Sequence, residues 1–110
     1  MRKWLLAAAG IIALGVSGAQ AQNYPARTIT MLIPFAAGGP TDTVGRLIAE
    51  SMTKTLGQQI VIENAAGAGG TRAPGLLVKA APDGYTILLH HIGMSTAPTL
   101  YRKLAYKPLG

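Results

Sequence analysis

The chain predicts an α/β fold built on a small parallel sheet, and three observations carry the prediction. Short apolar runs alternate with segments of helical spacing, each run ends in a turn rich in glycine or histidine, and residues that start or stop helices flank the helical segments. A strand covered by helices on both faces reads as a continuous apolar run, and "TITMLI" is such a run.

Thr28 to Ile33 is therefore the first strand. Val44, Leu47, Ile48, Met52 and Leu56 follow at helical spacing, with Arg46, Glu50 and Lys54 on other faces and Gly57 placed to stop the helix. Gln59 to Glu63 is a short β-rich segment that leads into a second glycine turn, Asn64 to Gly70. Thr71 is suited to cap a second helix whose first turn tolerates Pro74 and whose body runs through Leu76, Leu77 and Val78 to Ala80-Ala81. Pro82-Asp83-Gly84 ends it, and Tyr85 to Leu89 is the third strand. His90 to Thr96 is a third strand-end loop, after which Pro98 opens a helical turn. The order is β-α-β-α-β, with right-handed crossovers between parallel strands.

Loops at 34–42, 64–71 and 90–96 all follow carboxyl ends of strands, so an open parallel sheet brings them to one edge. The two glycine turns that open helices aim backbone N–H groups and positive dipole ends into that edge, where a carboxylate fits best. Neither turn is a nucleotide motif. "PFAAGGPTD" contains no G-x-x-x-x-G-K-[ST], and "GAGGTRA" has Arg72 where a dinucleotide fingerprint wants glycine.

Gly38 and Gly39 serve either a sharp turn alone or the close approach of backbone to a ligand. Asp42 is either an acid at a helix start, with Thr41 competing to cap, or a ligand contact through an oxygen that capping leaves free. His90 and His91 are adjacent on a strand end and point to opposite sides, which makes them poor partners for one metal; one of them is placed to face the crevice. Ser95 is outside any G-x-S-x-G elbow and reads as a hydroxyl that bonds ligand or caps the next turn. Met94 and Tyr101 read as packing residues. No cofactor or metal is called for.

Composition narrows the setting. Met1-Arg2-Lys3, the apolar run Trp4 to Val16 and Ala19-Gln20-Ala21 make a secretory signal over residues 1–21. Its removal lowers the formal charge from +6 by the two bases Arg2 and Lys3 and leaves residues 22–110. The remaining bases are scattered without an aromatic platform, which gives nucleic-acid binding little support. The absence of cysteine excludes disulfides and thiol chemistry, and an exported chain without a lipidated cysteine points to a periplasm.

Residues 24–108 resemble the start of a mature substrate-binding protein of the tripartite tricarboxylate transporter family, the periplasmic receptors also called the Bug family. The resemblance rests on Tyr24-Pro25, Pro34-Phe35 with Gly38-Gly39 and Asp42, Leu56-Gly57, Glu63-Asn64 with Gly67 to Gly70, Ala81 to Thr86, and Pro98 with Leu100-Tyr101. It implies a periplasmic-binding-protein-like fold of type II, of which this chain holds the βαβαβ portion of the first lobe. It also implies a monomeric receptor that closes on a small carboxylate and delivers it to membrane permease subunits, and is not an enzyme. Carried over, the ligand-binding residues are Phe35, Ala36, Gly38, Gly39 and Asp42 in the first loop and Asn64, Ala68 and Gly69 in the second. His91 and Ser95 follow in the third.

The family often has Arg-Pro before the second glycine cluster and Asn-x-Gly after it; this chain has Ala65-Ala66 and Thr71-Arg72-Ala73 there, so Arg72 either approaches the ligand or faces solvent. Two lobes are the usual design for hinge closure, and the expectation is a partial amino-terminal lobe over 22–110 with one wall of a site. An exported enzyme acting on a small carboxylic acid and a fragment without function stay open as alternatives.

Overall fold

A computed structural model describes residues 23–108; the signal peptide read over residues 1–21 lies outside the described residues. The elements are β1 (Ile29–Ile33), α1 (Pro40–Leu56), β2 (Ile60–Asn64), a 3-10 turn (Ala68–Gly70), α2 (Arg72–Leu77), β3 (Thr86–Leu88) and α3 (Gly93–Leu100). The sheet is parallel throughout in the order β2-β1-β3, with Ile29 opposite Ile60, Ile33 opposite Asn64 and Thr30 opposite Thr86. Among the described residues no helix is long and apolar enough to cross a membrane.

The β1→β2 crossover runs one way across the sheet and the β2→β3 crossover runs back past β1, so right-handed connections put α1 and α2 on opposite faces. The core follows that division. Ile29, Met31 and Ile33 pack with Ala49, Ile60 and Met52 on the α1 face, whereas Leu32 packs with Ala65, Ala73, Leu76, Leu77 and Leu88 on the α2 face. Alternate residues of β1 thus enter two small cores.

Helix α1 departs from its sequence reading at both its start and its face. It begins at Pro40, with Gly39 in extended conformation as its N-cap, and ends where expected at Gly57, which is left-handed and donates its N–H to Thr53 O at 3.0 Å. Its buried residues are Asp42, Gly45 and Ala49, while Val44 and Leu47 are 52% and 65% exposed. Small residues decide the packing face. A Cβ at Gly45 would run into Ile33 Cδ1 and lie 3.2 Å from Leu89 Cδ2, so the helix approaches the sheet at a distance that a larger residue would forbid.

Further boundaries differ: β1 starts at Ile29 rather than Thr28, and β3 spans Thr86–Leu88 rather than Tyr85 to Leu89. β2 runs from Ile60 through Asn64, one residue later than expected, since Asn64 still pairs with Ile33. α2 ends at Leu77 rather than Ala81 because the following amides tighten to three-residue spacing, Lys79 N–H to Leu76 O and Ala80 N–H to Leu77 O. Thr71 occupies the N-cap position of α2 as expected but makes no side-chain cap: its backbone is already helical, and its hydroxyl donates back to Ala68 O at 2.8 Å. The third loop is shorter than 90–96, for α3 opens at Gly93 and holds Pro98 inside.

At the amino ends of the strands, Tyr24 donates to Gly84 O at 2.6 Å and Arg27 lies 3.9 Å above the Tyr85 ring while bonding Asp83. That clamp secures the edge of the sheet opposite the three loops.

Candidate functional site

The site begins with the strain-tolerant chemistry of its loops. After β1 the chain must reverse into α1, and Gly38 at φ +84 supplies the left-handed step. Gly38 N–H donates to Asp42 Oδ2 at 2.9 Å, Gly39 N–H to Ala36 O at 3.3 Å, and Thr43 N–H to Gly39 O at 2.9 Å. The first loop is thereby closed on itself.

Asp42 is the hub of this arrangement. It is 1% exposed in the first turn of α1, and its Oδ2 also accepts from Arg46 Nε at 2.8 Å while Oδ1 accepts from Asn64 Nδ2 at 2.9 Å. The Arg46 bond, then the Gly38 N–H and the Asn64 amide, hold the carboxyl well below the usual carboxylate range against the opposing effect of burial. Both oxygens are engaged, so the free oxygen expected of a capping carboxylate is absent, and Asp42 sits three residues past the cap. Its chemistry is to fix loop one to the end of β2.

Asn64 completes the tie, since its amide also donates to Phe35 O at 3.0 Å. The second loop then passes through four consecutive residues of positive φ: Gly67 at +127, Ala68 at +49, Gly69 at +61 and Gly70 at +88. Ala68 is the single non-glycine residue of positive φ among the described residues, a position that disfavours a side chain. Arg72, exposed, donates to Ala66 O at 3.1 Å and so braces this turn from outside.

The third loop reaches the other two through its imidazoles. His90 Nδ1 accepts from His91 N–H at 2.8 Å, which places the ring proton on Nε2, and Nε2 donates to Gly70 O at 2.9 Å. His91 Nδ1 accepts from Gly93 N–H at 2.8 Å, leaving its own proton on Nε2. Its ring stacks on Phe35 with centroids 4.5 Å apart, and the His90 ring meets Phe35 edge-on at 6.1 Å. The two histidines were expected on opposite sides; instead both pack against Phe35, because the chain turns into α3 immediately after them. His90, His91, Leu89, Pro40, Thr41 and Val44 line a depression of about 250 Å³.

Of the ten residues singled out from sequence, Phe35, Ala36, Gly38, Gly39, Ala68, Gly69 and His91 lie on the three adjoining loops at the carboxyl edge of the sheet, and Asp42 and Asn64 lie beside them, in the first turn of α1 and at the end of β2. Ser95 stands apart, on the first turn of α3 in a depression of about 260 Å³ with Met94, Pro98 and Pro108. Tyr101, read as packing only, overlies the second loop: a Cβ at Gly69 would meet its hydroxyl. Three organising residues were missed. Arg46 was visible as a cation four residues after Asp42, but the carbonyl of Gly70 and the bridging ring of His90 depend on long-range geometry that spacing does not show.

Chemically, the edge offers donors. The amides of Ala36, Ala37 and Thr41 in the first loop and of Gly67, Ala68 and Gly69 in the second donate to no acceptor among the described residues. Asp42, the carboxylate within these two loops, is engaged on both oxygens. Unpaired backbone donors of this kind are chemically suited to an oxyanion.

Comparison with known proteins identifies the family and the fold. The model of the tripartite tricarboxylate transporter family receptor matches residues 44–110. A UPF0065 protein of Agrobacterium vitis is 56% identical over 92 residues, covering 83% of this chain and 27% of its own length. Among solved structures, the periplasmic binding protein BugD superposes with a TM-score of 0.75 at 56% identity, covering 77% of this chain and 28% of its own. MatC of Rhodopseudomonas palustris with bound malate gives 0.74 at 56% identity, covering 77% and 29% respectively. The chain therefore spans less than a third of the length of each of these relatives.

Proposed function

Since the chain belongs to the tripartite tricarboxylate transporter receptor family, we propose that it forms one wall of a solute-binding site that captures a small carboxylate for uptake. The observation that carries this reading is the pair of loops whose backbone donors are unpaired while their one carboxylate, Asp42, is fully engaged. Malate in the related MatC supports a dicarboxylate of this class. Loop one and loop two hold one carboxylate end through the unpaired amides of Ala36, Ala37 and Thr41 and of Gly67, Ala68 and Gly69, with Gly38 and Gly39 shaping the turn that presents them; Asp42 and Asn64 keep the two loops in register. His91, with Nε2–H undonated, contributes a side-chain donor at the rim.

The same reading covers the setting. The leader over residues 1–21 directs export, the mature protein works in the periplasm as a monomer, and its protein partners are the permease subunits of the transporter. Residues 22–110 belong to the first lobe, and the second lobe, which the longer relatives suggest by their length, supplies the opposite wall. Capture requires no bond making, so the protein is a receptor and not an enzyme.

Calorimetry of the exported chain with malate, citrate and acetate, followed by mass spectrometry of the recovered acid, tests the proposal. Weak binding of the di- and tricarboxylates, weaker still for acetate, with every acid recovered unchanged, is the expected result. Micromolar binding by the chain alone would overturn the one-wall reading, and turnover of any acid would overturn capture.

A further inference from the structure

The cations of this chain are divided unevenly. Arg27 pairs with Asp83, Arg46 with Asp42 and Lys54 with Glu50, whereas Arg72, Lys79 and Lys103 form no ion pair among the described residues. Arg102 and Lys107 are likewise without an ion pair among the described residues, but it is Arg72, Lys79 and Lys103, all exposed, that surround a single depression of about 370 Å³ between α2 and the segment that follows α3. Its floor is made of Gly75, Leu76 and Ala105, small or aliphatic residues, and no acid lines it. A Cβ added at Gly75 would stand 3.3 Å from Ala105 Cβ, so the absence of a side chain at 75 is what lets the 103–106 segment lie close and bring Lys103 to the helix.

We infer that this depression is a docking site for an acidic segment of a protein partner, with carboxylates meeting Arg72, Lys79 and Lys103 and one aliphatic side chain seated over Gly75 and Leu76. The inference stands apart from carboxylate capture at the loop edge, since it uses the outer flank of α2. Shape favours a protein over a membrane, because a bilayer offers a flat sheet of charge and these cations ring a concavity. Exposure favours a protein over a small free anion. Each solvent-exposed pair contributes little by itself, but several across one surface steer an acidic partner and set its register. Screening then makes the association salt-dependent, since exposed charges lose their attraction beyond a Debye length.

A fluorescent hexaglutamate peptide carrying one central leucine, titrated against the chain and followed by anisotropy, tests the inference. Expected are binding at low salt that fades at high salt, no binding of the lysine counterpart, and affinity reduced by about tenfold or more in Lys79→Glu/Lys103→Glu. Lys54→Glu, a single charge reversal on α1 away from the depression, should leave the affinity unchanged, and circular dichroism checks that both variants fold. Equal affinity in the two variants would overturn the inference. So would binding of citrate at this flank with no peptide binding, or capture by anionic phosphatidylglycerol vesicles alone.

Discussion

Replacing Asn64 with alanine removes the one side chain that ties loop one to the end of β2. Its amide makes two bonds, to Phe35 O at 3.0 Å and to Asp42 Oδ1 at 2.9 Å. A neutral bond contributes about 1 kcal/mol and a bond to an ionised acceptor about 1.5–3 kcal/mol. The loss is then about 2.5–4 kcal/mol, because the Phe35 carbonyl and the Asp42 oxygen are both left without this donor. For a domain of this size that corresponds to a fall in Tm of roughly 10–30 °C, at about 4–8 °C per kcal/mol. Urea denaturation followed by far-UV circular dichroism measures it directly as a lower midpoint at unchanged slope. Asn64→Asp should be at least as damaging, since it sets a second carboxylate against Asp42. A loss below about 1 kcal/mol for Asn64→Ala would refute the claim that this amide holds the loops together.

Acid should weaken the fold through the same hub. The folded Asp42 carboxyl titrates below its ordinary value of 3.8, so its stabilisation is full above that value and is lost as pH falls beneath it; Asp42→Asn should flatten the stability profile in that acid range. Ala68→Gly should raise the stability by up to about 1 kcal/mol, because φ +49 suits glycine, and thermal melts would show it as a higher midpoint. Gly45→Ala should lower stability by about 1–3 kcal/mol in the same melts, as its Cβ meets Ile33 and Leu89.

The parallel sheet, the order of elements and the convergence of three loops were legible because each rests on local pattern. "TITMLI" reads as a doubly covered strand, and Gly57 stops α1 at the expected residue. What failed to show in the sequence depends on approach distance. The apolar stripe Val44, Leu47 and Ile48 looked like the buried face of α1, yet Gly45 and Ala49 face the sheet, since only small residues let the helix come close. Asp42 looked like a cap with an oxygen to spare, and the partner that occupies that oxygen, Asn64, is twenty-two positions away. The histidines were judged by the alternation of a strand, a rule that lapses where the chain bends into α3 at Gly93.

Amide chemical shifts recorded while malate is titrated into the isotope-labelled chain test the central claim most directly. Carboxylate capture by backbone predicts millimolar, saturable shifts at Ala36, Ala37 and Thr41 and at Gly67 to Gly69, with the Arg72, Lys79 and Lys103 flank unchanged. Shifts confined to that basic flank, or none at the glycine loops at saturating malate, would contradict it.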